Sequence, residues 1–174
     1  MGLTLKRIAF GILRIWLGVQ WFEAGIHKVG AAAWTGESAG SAVAGFARGA
    51  IAKAVGENPA VQGWYADFLE GFVIPNAARF GPLIAWGEVL VGVGLILGAF
   101  TGFAALAGAF MNLNFMLAGT TSTNPILYTA AILVIIGIEY AQYYGLDAYI
   151  RPTVERTAEE GFKRLRHRFA RTAA

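Results

Sequence analysis

Four apolar runs dominate the chain, each close to the length of one membrane crossing: residues 8–26, 80–100, 101–118 and 125–144. At 1.5 Å per residue, roughly 20 helical residues cross a hydrocarbon core of about 30 Å. Glu88 is the only charge in the second run, Glu139 the only one in the fourth, and the third, the shortest, has none. A backbone in lipid must satisfy its own hydrogen bonds, so all four runs are expected to be helices. The composition agrees. Of 174 residues, 56% are apolar and 14% charged, against roughly 25% charged in soluble domains. The chain is too apolar for disorder. It has no cysteine, so it is no disulfide scaffold, no oxidoreductase acting through its own thiols, and no iron–sulfur or cysteine–zinc protein.

Charge placement orients the runs. Lys6 and Arg7 precede the first, and Arg151, Arg156, Lys163, Arg164, Arg166, Arg168 and Arg171 follow the last. In the loop at 27–79, Lys28, Arg48, Lys53 and Arg79 are balanced by Glu37, Glu57, Asp67 and Glu70. The positive-inside rule then places both termini in the cytoplasm, as an even number of spans requires. The net charge of +3 is a topology signal, not a sign of nucleic-acid binding. A cleaved signal peptide is the rival reading of the first run, with Ala31, Ala32 and Ala33 as small residues; Arg14 and Glu23 interrupt its apolar core and argue against it. The expected fold is all-α: an integral four-helix bundle over 1–145, multi-pass in the cell (inner) membrane, then a basic amphipathic cytoplasmic tail helix at 146–174.

The outer loop has its own pattern. Val43, Phe46, Ala47, Ala50, Ile51 and Ala54 recur at helical spacing, and Val61, Trp64, Tyr65, Phe68 and Phe72 form a second stripe. Asn58-Pro59 and Pro75-Asn76 punctuate them. Two short amphipathic helices are expected, either lying at the membrane interface or folding over the bundle as a cap. In the tail, Val154, Ala158, Phe162, Leu165 and Phe169 form a stripe among basic residues. It reads as a helix on the anionic inner leaflet, as a partner-binding helix, or as a solvated basic face.

Ionisable groups inside spans are costly, which makes Arg14, Glu23, Glu88 and Glu139 functional suspects. Asn112 and Asn114 join them, and His27 caps the first span. Trp16, Gln20, Glu23 and His27 share one face of the first helix, with Arg14 on the opposite face. Arg14 is therefore expected to meet Glu139 across the bundle, or else Glu88. One arginine among three glutamates leaves Glu23 or Glu88 as a protonatable group of the kind quinone or quinol chemistry needs. An asparagine amide can hydrogen-bond a quinone carbonyl. The structural reading competes: such residues also serve as glue between helices. Several classes drop out. His27 and His167 fall on opposite sides, which disfavours an internal bis-histidine haem. Gly92, Gly94 and Gly98 suit close helix packing, not a phosphate loop. No metal-ligand, flavin or Ser-His-Asp constellation stands out.

Leu13-Arg14, then Glu23-Ala24-Gly25 and Lys28, resemble the first helix of the DoxX/DoxD family, as do Pro75-Asn76, Gly87-Glu88 and Gly92 farther on. The most specific stretch is Gly108-Ala109-Phe110-Met111-Asn112-Leu113-Asn114-Phe115, followed by Gly119 and Asn124-Pro125. The resemblance covers most of residues 8–145 and implies a four-helix membrane protein related to subunits of a thiosulfate:quinone oxidoreductase. Quinone is then the expected cofactor. Membrane lipid and either partner protein subunits or further copies of the chain are the expected partners. The reading that follows is a membrane subunit of a quinone-linked oxidoreductase. Glu88 and Asn114 would face the quinone head group, Asn112 and Glu23 would lie near it, and Arg14 and Glu139 would hold the inner half. The alternative is a non-enzymatic structural or assembly subunit. A solute transporter is disfavoured, because no paired Gly/Pro-broken spans occur.

Overall fold

The computed structural model describes residues 2–150 together with 152 and 153, and these are helical with no strand. The long first helix is α1 (Leu3–Val29). A cap follows, made of α2 (Ala32–Thr35), α3 (Ser41–Ile51), α4 (Gly63–Phe68) and one wide π-type turn, Leu69–Val73. Then come α5 (Ala77–Leu97), α6 (Thr101–Leu117), α7 (Asn124–Ile136) and the short α8 (Ile138–Ala141). The tail stripe beginning at Val154 lies outside the described residues.

All four apolar runs are helical, with informative differences in length. The second run closes at Gly98 and not at residue 100, because Gly98 and Phe100 turn the chain with φ of 65° and 51°. The fourth run is broken at Gly137, where α7 ends and α8 begins. A Cβ at Gly137 would strike the Phe10 ring, so the break lets α1 press against it. Among the described residues, α5 is the one helix long and apolar enough to cross a membrane by itself. α6 and α7 are shorter apolar helices, and α1 is longer but carries Lys6, Arg7, Arg14, Glu23 and Lys28.

α1 and α5 run antiparallel in very close contact. Glycines permit it. A Cβ on Gly25 would lie 2.6 Å from the Val89 amide nitrogen, one on Gly18 2.8 Å from that of Ile96, and one on Gly92 2.6 Å from Phe22 Cα. These neighbours are backbone atoms, which no rotamer change can move. Gly92→Ala should therefore separate the two helices and cost roughly 1–3 kcal/mol, as overpacking does. Thermal unfolding in detergent would read this as a lowered midpoint. Gly45→Ala, where nothing lies within 4 Å, is the control and should be neutral or slightly stabilising. An unchanged midpoint for Gly92→Ala would mean that the helices are not in this contact.

The core collects Leu17 and Trp21 of α1, Val91 and Leu95 of α5, Ala104, Ala105 and Ala109 of α6, and Ala130, Ala131 and Val134 of α7. A second cluster (Ala47, Ala50, Val61, Tyr65, Ala66, Leu69) closes on Ala118 at the end of α6. The loop helices fold over the end of α6 as a cap. Trp64, Tyr65, Phe68, Phe72 and Phe80 run ring to ring along it, and Trp64, Phe68 and Phe72 are exposed.

Candidate functional site

Two polar assemblies lie at different levels of the helix packing. The first sits at the turn between α5 and α6. Arg14 is 1% exposed and its guanidinium donates to three backbone carbonyls: Leu95 at 2.5 Å, Ile96 at 3.3 Å and Tyr144 at 3.2 Å. Leu95 and Ile96 end α5, where carbonyls lack intrahelical partners, so Arg14 serves as a side-chain cap from a neighbouring helix. Gly98 makes room for it. Its positive φ disfavours any side chain, and a Cβ there would collide with the guanidinium and lie 2.7 Å from Gly145 Cα. Asp147 completes the junction, accepting the amides of Phe100 at 2.7 Å and Thr101 at 2.8 Å at the start of α6. The expected Arg14–Glu139 pair is not formed. Glu139 is exposed on α8, because the turn at Gly137 carries it outward, and backbone carbonyls take Arg14 in its place.

The second assembly lies midway along α5. Glu88 is 1% exposed, and Lys28 Nζ donates to its Oε2 at 2.5 Å. The Lys28 side chain is 23% exposed and its ammonium stands 5.2 Å from the Trp34 ring centroid, under the cap. The pair thus runs from a half-wet cation to a dry carboxylate. The sequence alone places Lys28 among the loop charges. The signal that could have found it is its place in the motif Glu23-Ala24-Gly25 and Lys28, one turn past Gly25, which packs against Glu88 and Val89.

Asn112 and Asn114 part company. Gly108 lies against Val91 and Trp21, and Gly87 faces Met111, which puts Asn112 at the level of Glu88. Asn112 is 0% exposed, and neither its amide nitrogen nor its amide oxygen has a hydrogen-bond partner. The indole nitrogen of Trp21 on α1, which rests on Gly108 one turn before Asn112, is likewise buried and unpartnered. Asn114 instead faces the cap. The Tyr65 hydroxyl donates to its backbone oxygen at 3.0 Å and to its Oδ1 at 3.1 Å, and its Nδ2 donates to Phe110 O at 2.8 Å. Burial pushes the Tyr65 hydroxyl above the usual tyrosine value, which keeps it a donor. Asn112 is therefore buried at the level of Glu88, while Asn114 turns to the cap.

Glu23 and His27 are both exposed. They lie on the face of α1 turned away from α5, so Glu23 does not join Glu88. Among the described residues no cluster of three or more His, Asp or Glu side chains is placed to hold a metal ion.

No curated protein and no solved structure matches the chain. One family profile does: DoxD, described as the TQO small subunit, over residues 10–165. That match spans nearly the whole chain and carries the Arg14 junction, the Lys28–Glu88 pair and both asparagines, so the chain belongs to the DoxD family.

Proposed function

We propose that the chain is a multi-pass membrane subunit of a quinone-linked oxidoreductase of the thiosulfate:quinone type, and that a quinone head group is handled at the level of Glu88. α1, α5, α6 and the α7–α8 pair would be the four spans, with both termini cytoplasmic, the cap outside, and the exposed aromatic row of the cap at the interface. The observation that carries the reading is the unpartnered, fully buried Asn112 amide at the level of the buried Glu88 carboxylate, which Lys28 holds from the wetter side. Buried polar atoms left without partners are rare and ask for an explanation.

The residues fit the group. The Asn112 Nδ2 and Trp21 Nε1 hydrogens are free to donate to a carbonyl oxygen. A quinone, when bound, supplies an acceptor for electrons and protons. The chain's own contribution is binding and proton handling. Asn112 would orient the head group, Glu88 Oε2 would hold or release a proton, and Lys28 would steady the carboxylate and link it to the wetter cap side. Arg14, Asp147 and Gly98 lie at the α5–α6 turn and keep the helices in register.

Glu88→Gln tests this directly. The change keeps the shape and leaves Lys28 partly solvated, so the chain should still fold. Thiosulfate-dependent reduction of a short-chain quinone by the membrane complex should fall by about 100-fold, the scale of a lost general acid–base group. Full activity per complex would remove Glu88 from the reaction. Reduced complex yield with unchanged electron transfer would favour the structural-subunit alternative.

A further inference from the structure

We infer that the outward face of α1, built from Ile12, Trp16, Val19, Glu23 and Ile26, docks a membrane-spanning helix of another protein that carries a lysine or arginine at the depth of Glu23. The inference rests on the membrane reading above. All five side chains are exposed. The outward faces of α5 and α6 are apolar, with Leu83, Leu90, Phe103 and Leu106 at their surfaces, as lipid requires. α1 differs by one carboxylate. Glu23 makes no hydrogen bond or ion pair among the described residues, and neither does His27 one turn on. Its level is fixed by its neighbours: Phe22 rests on Gly92, and Trp21 rests on Gly108. Those contacts put Glu23 near the middle of α5 and of α6. A bare carboxylate facing hydrocarbon at that depth is costly, and such groups are normally paired within a bundle.

The lysines and arginines of α1 itself are committed elsewhere. Lys28 serves Glu88, Arg14 serves α5 and Tyr144, and Lys6 and Arg7 stand over Tyr140 and Tyr143 at the far end of α1. A second copy in the same orientation would bring Glu23 level with its own counterpart, carboxylate against carboxylate. Charge complementarity therefore selects a different chain that supplies the cation.

The chain has no cysteine, so a Thr121→Cys variant in the α6–α7 loop accepts a single fluorescent donor. The labelled full-length chain is reconstituted in phosphatidylcholine vesicles, and its insertion is checked by carbonate extraction. Acceptor-labelled leucine-rich spanning peptides are then added, bearing arginine, leucine or glutamate at the matching depth. Energy transfer should report about 10-fold tighter binding of the arginine peptide than of the leucine peptide, within the range of interhelical polar contacts. Glu23→Leu should erase the difference. Equal binding of the arginine and leucine peptides, or a preference that survives Glu23→Leu, overturns the inference alone. So does a self-associated chain that excludes the peptide. A chain that fails to insert overturns the membrane reading along with it.

Discussion

Replacing Arg14 by methionine should lower the thermal unfolding midpoint of the detergent-solubilised chain by roughly 6–12 °C. Methionine fills much of the arginine volume, so the effect isolates the lost donors rather than a cavity. The guanidinium supplies the carbonyls of Leu95, Ile96 and Tyr144, and their surroundings leave little room for water to take its place. Each buried carbonyl left without a donor costs about 1–3 kcal/mol. Two of the three contacts are less buried than the first, so about 3 kcal/mol is expected in total. Arg14→Lys should recover less than half of the loss, because one ammonium cannot reproduce a planar fork spread over two segments. Far-ultraviolet circular dichroism during heating is the measurement. A midpoint within about 2 °C of the parent chain for Arg14→Met would show that the junction is held by packing alone.

The second large effect concerns Lys28. Lys28→Met strands the Glu88 carboxylate, 1% exposed, with no cation, and breaking one side of a buried pair costs roughly 3–5 kcal/mol. Glu88→Gln alone should cost far less, since the remaining ammonium reaches water at the cap. The double variant Lys28→Met/Glu88→Gln removes the stranded charge and should be more stable than Lys28→Met by at least about 1.5 kcal/mol, a coupling typical of residues in direct contact. Denaturant or thermal unfolding of the four chains closes the cycle. A double variant no more stable than Lys28→Met would mean that the two side chains act independently. The cycle also separates stability from chemistry. Loss of quinone reduction in Glu88→Gln, together with near-normal stability, would assign the carboxylate to the reaction rather than to the fold.

The helices were legible because apolar length and the Pro75-Asn76 break are properties of the local sequence. The cap helices were legible for the same reason, since Val43 to Ala54 and Val61 to Phe72 carry helical periodicity. What stayed hidden depends on the neighbours of each side chain. Arg14 was expected to seek an opposite charge, but its partners are main-chain oxygens at the end of a helix, which no side-chain pattern records. Lys28 looked like a loop residue because the apolar run stops at Ile26, whereas α1 continues to Val29 and brings the ammonium back over Glu88. Asn112 and Asn114 are two residues apart, so they lie on nearly opposite faces of α6. Helical phase separates them, but only the positions of α1 and α5 decide which one turns inward. The kink at Gly137 was invisible because it answers the ring of Phe10, more than a hundred residues earlier.

The Arg14 junction also sets an order of events during synthesis. Its hydrogen bonds span 81, 82 and 130 residues of sequence, and chains emerge from the ribosome N-terminus first. The first helix therefore enters its surroundings with an unmet guanidinium. It waits for the end of α5 and then for Tyr144, one of the last described residues, before both terminal nitrogens have their acceptors. A chain stopped short of that residue keeps a polar flaw in its oldest helix. The junction at the first helix thus closes only when a residue made 130 positions later arrives.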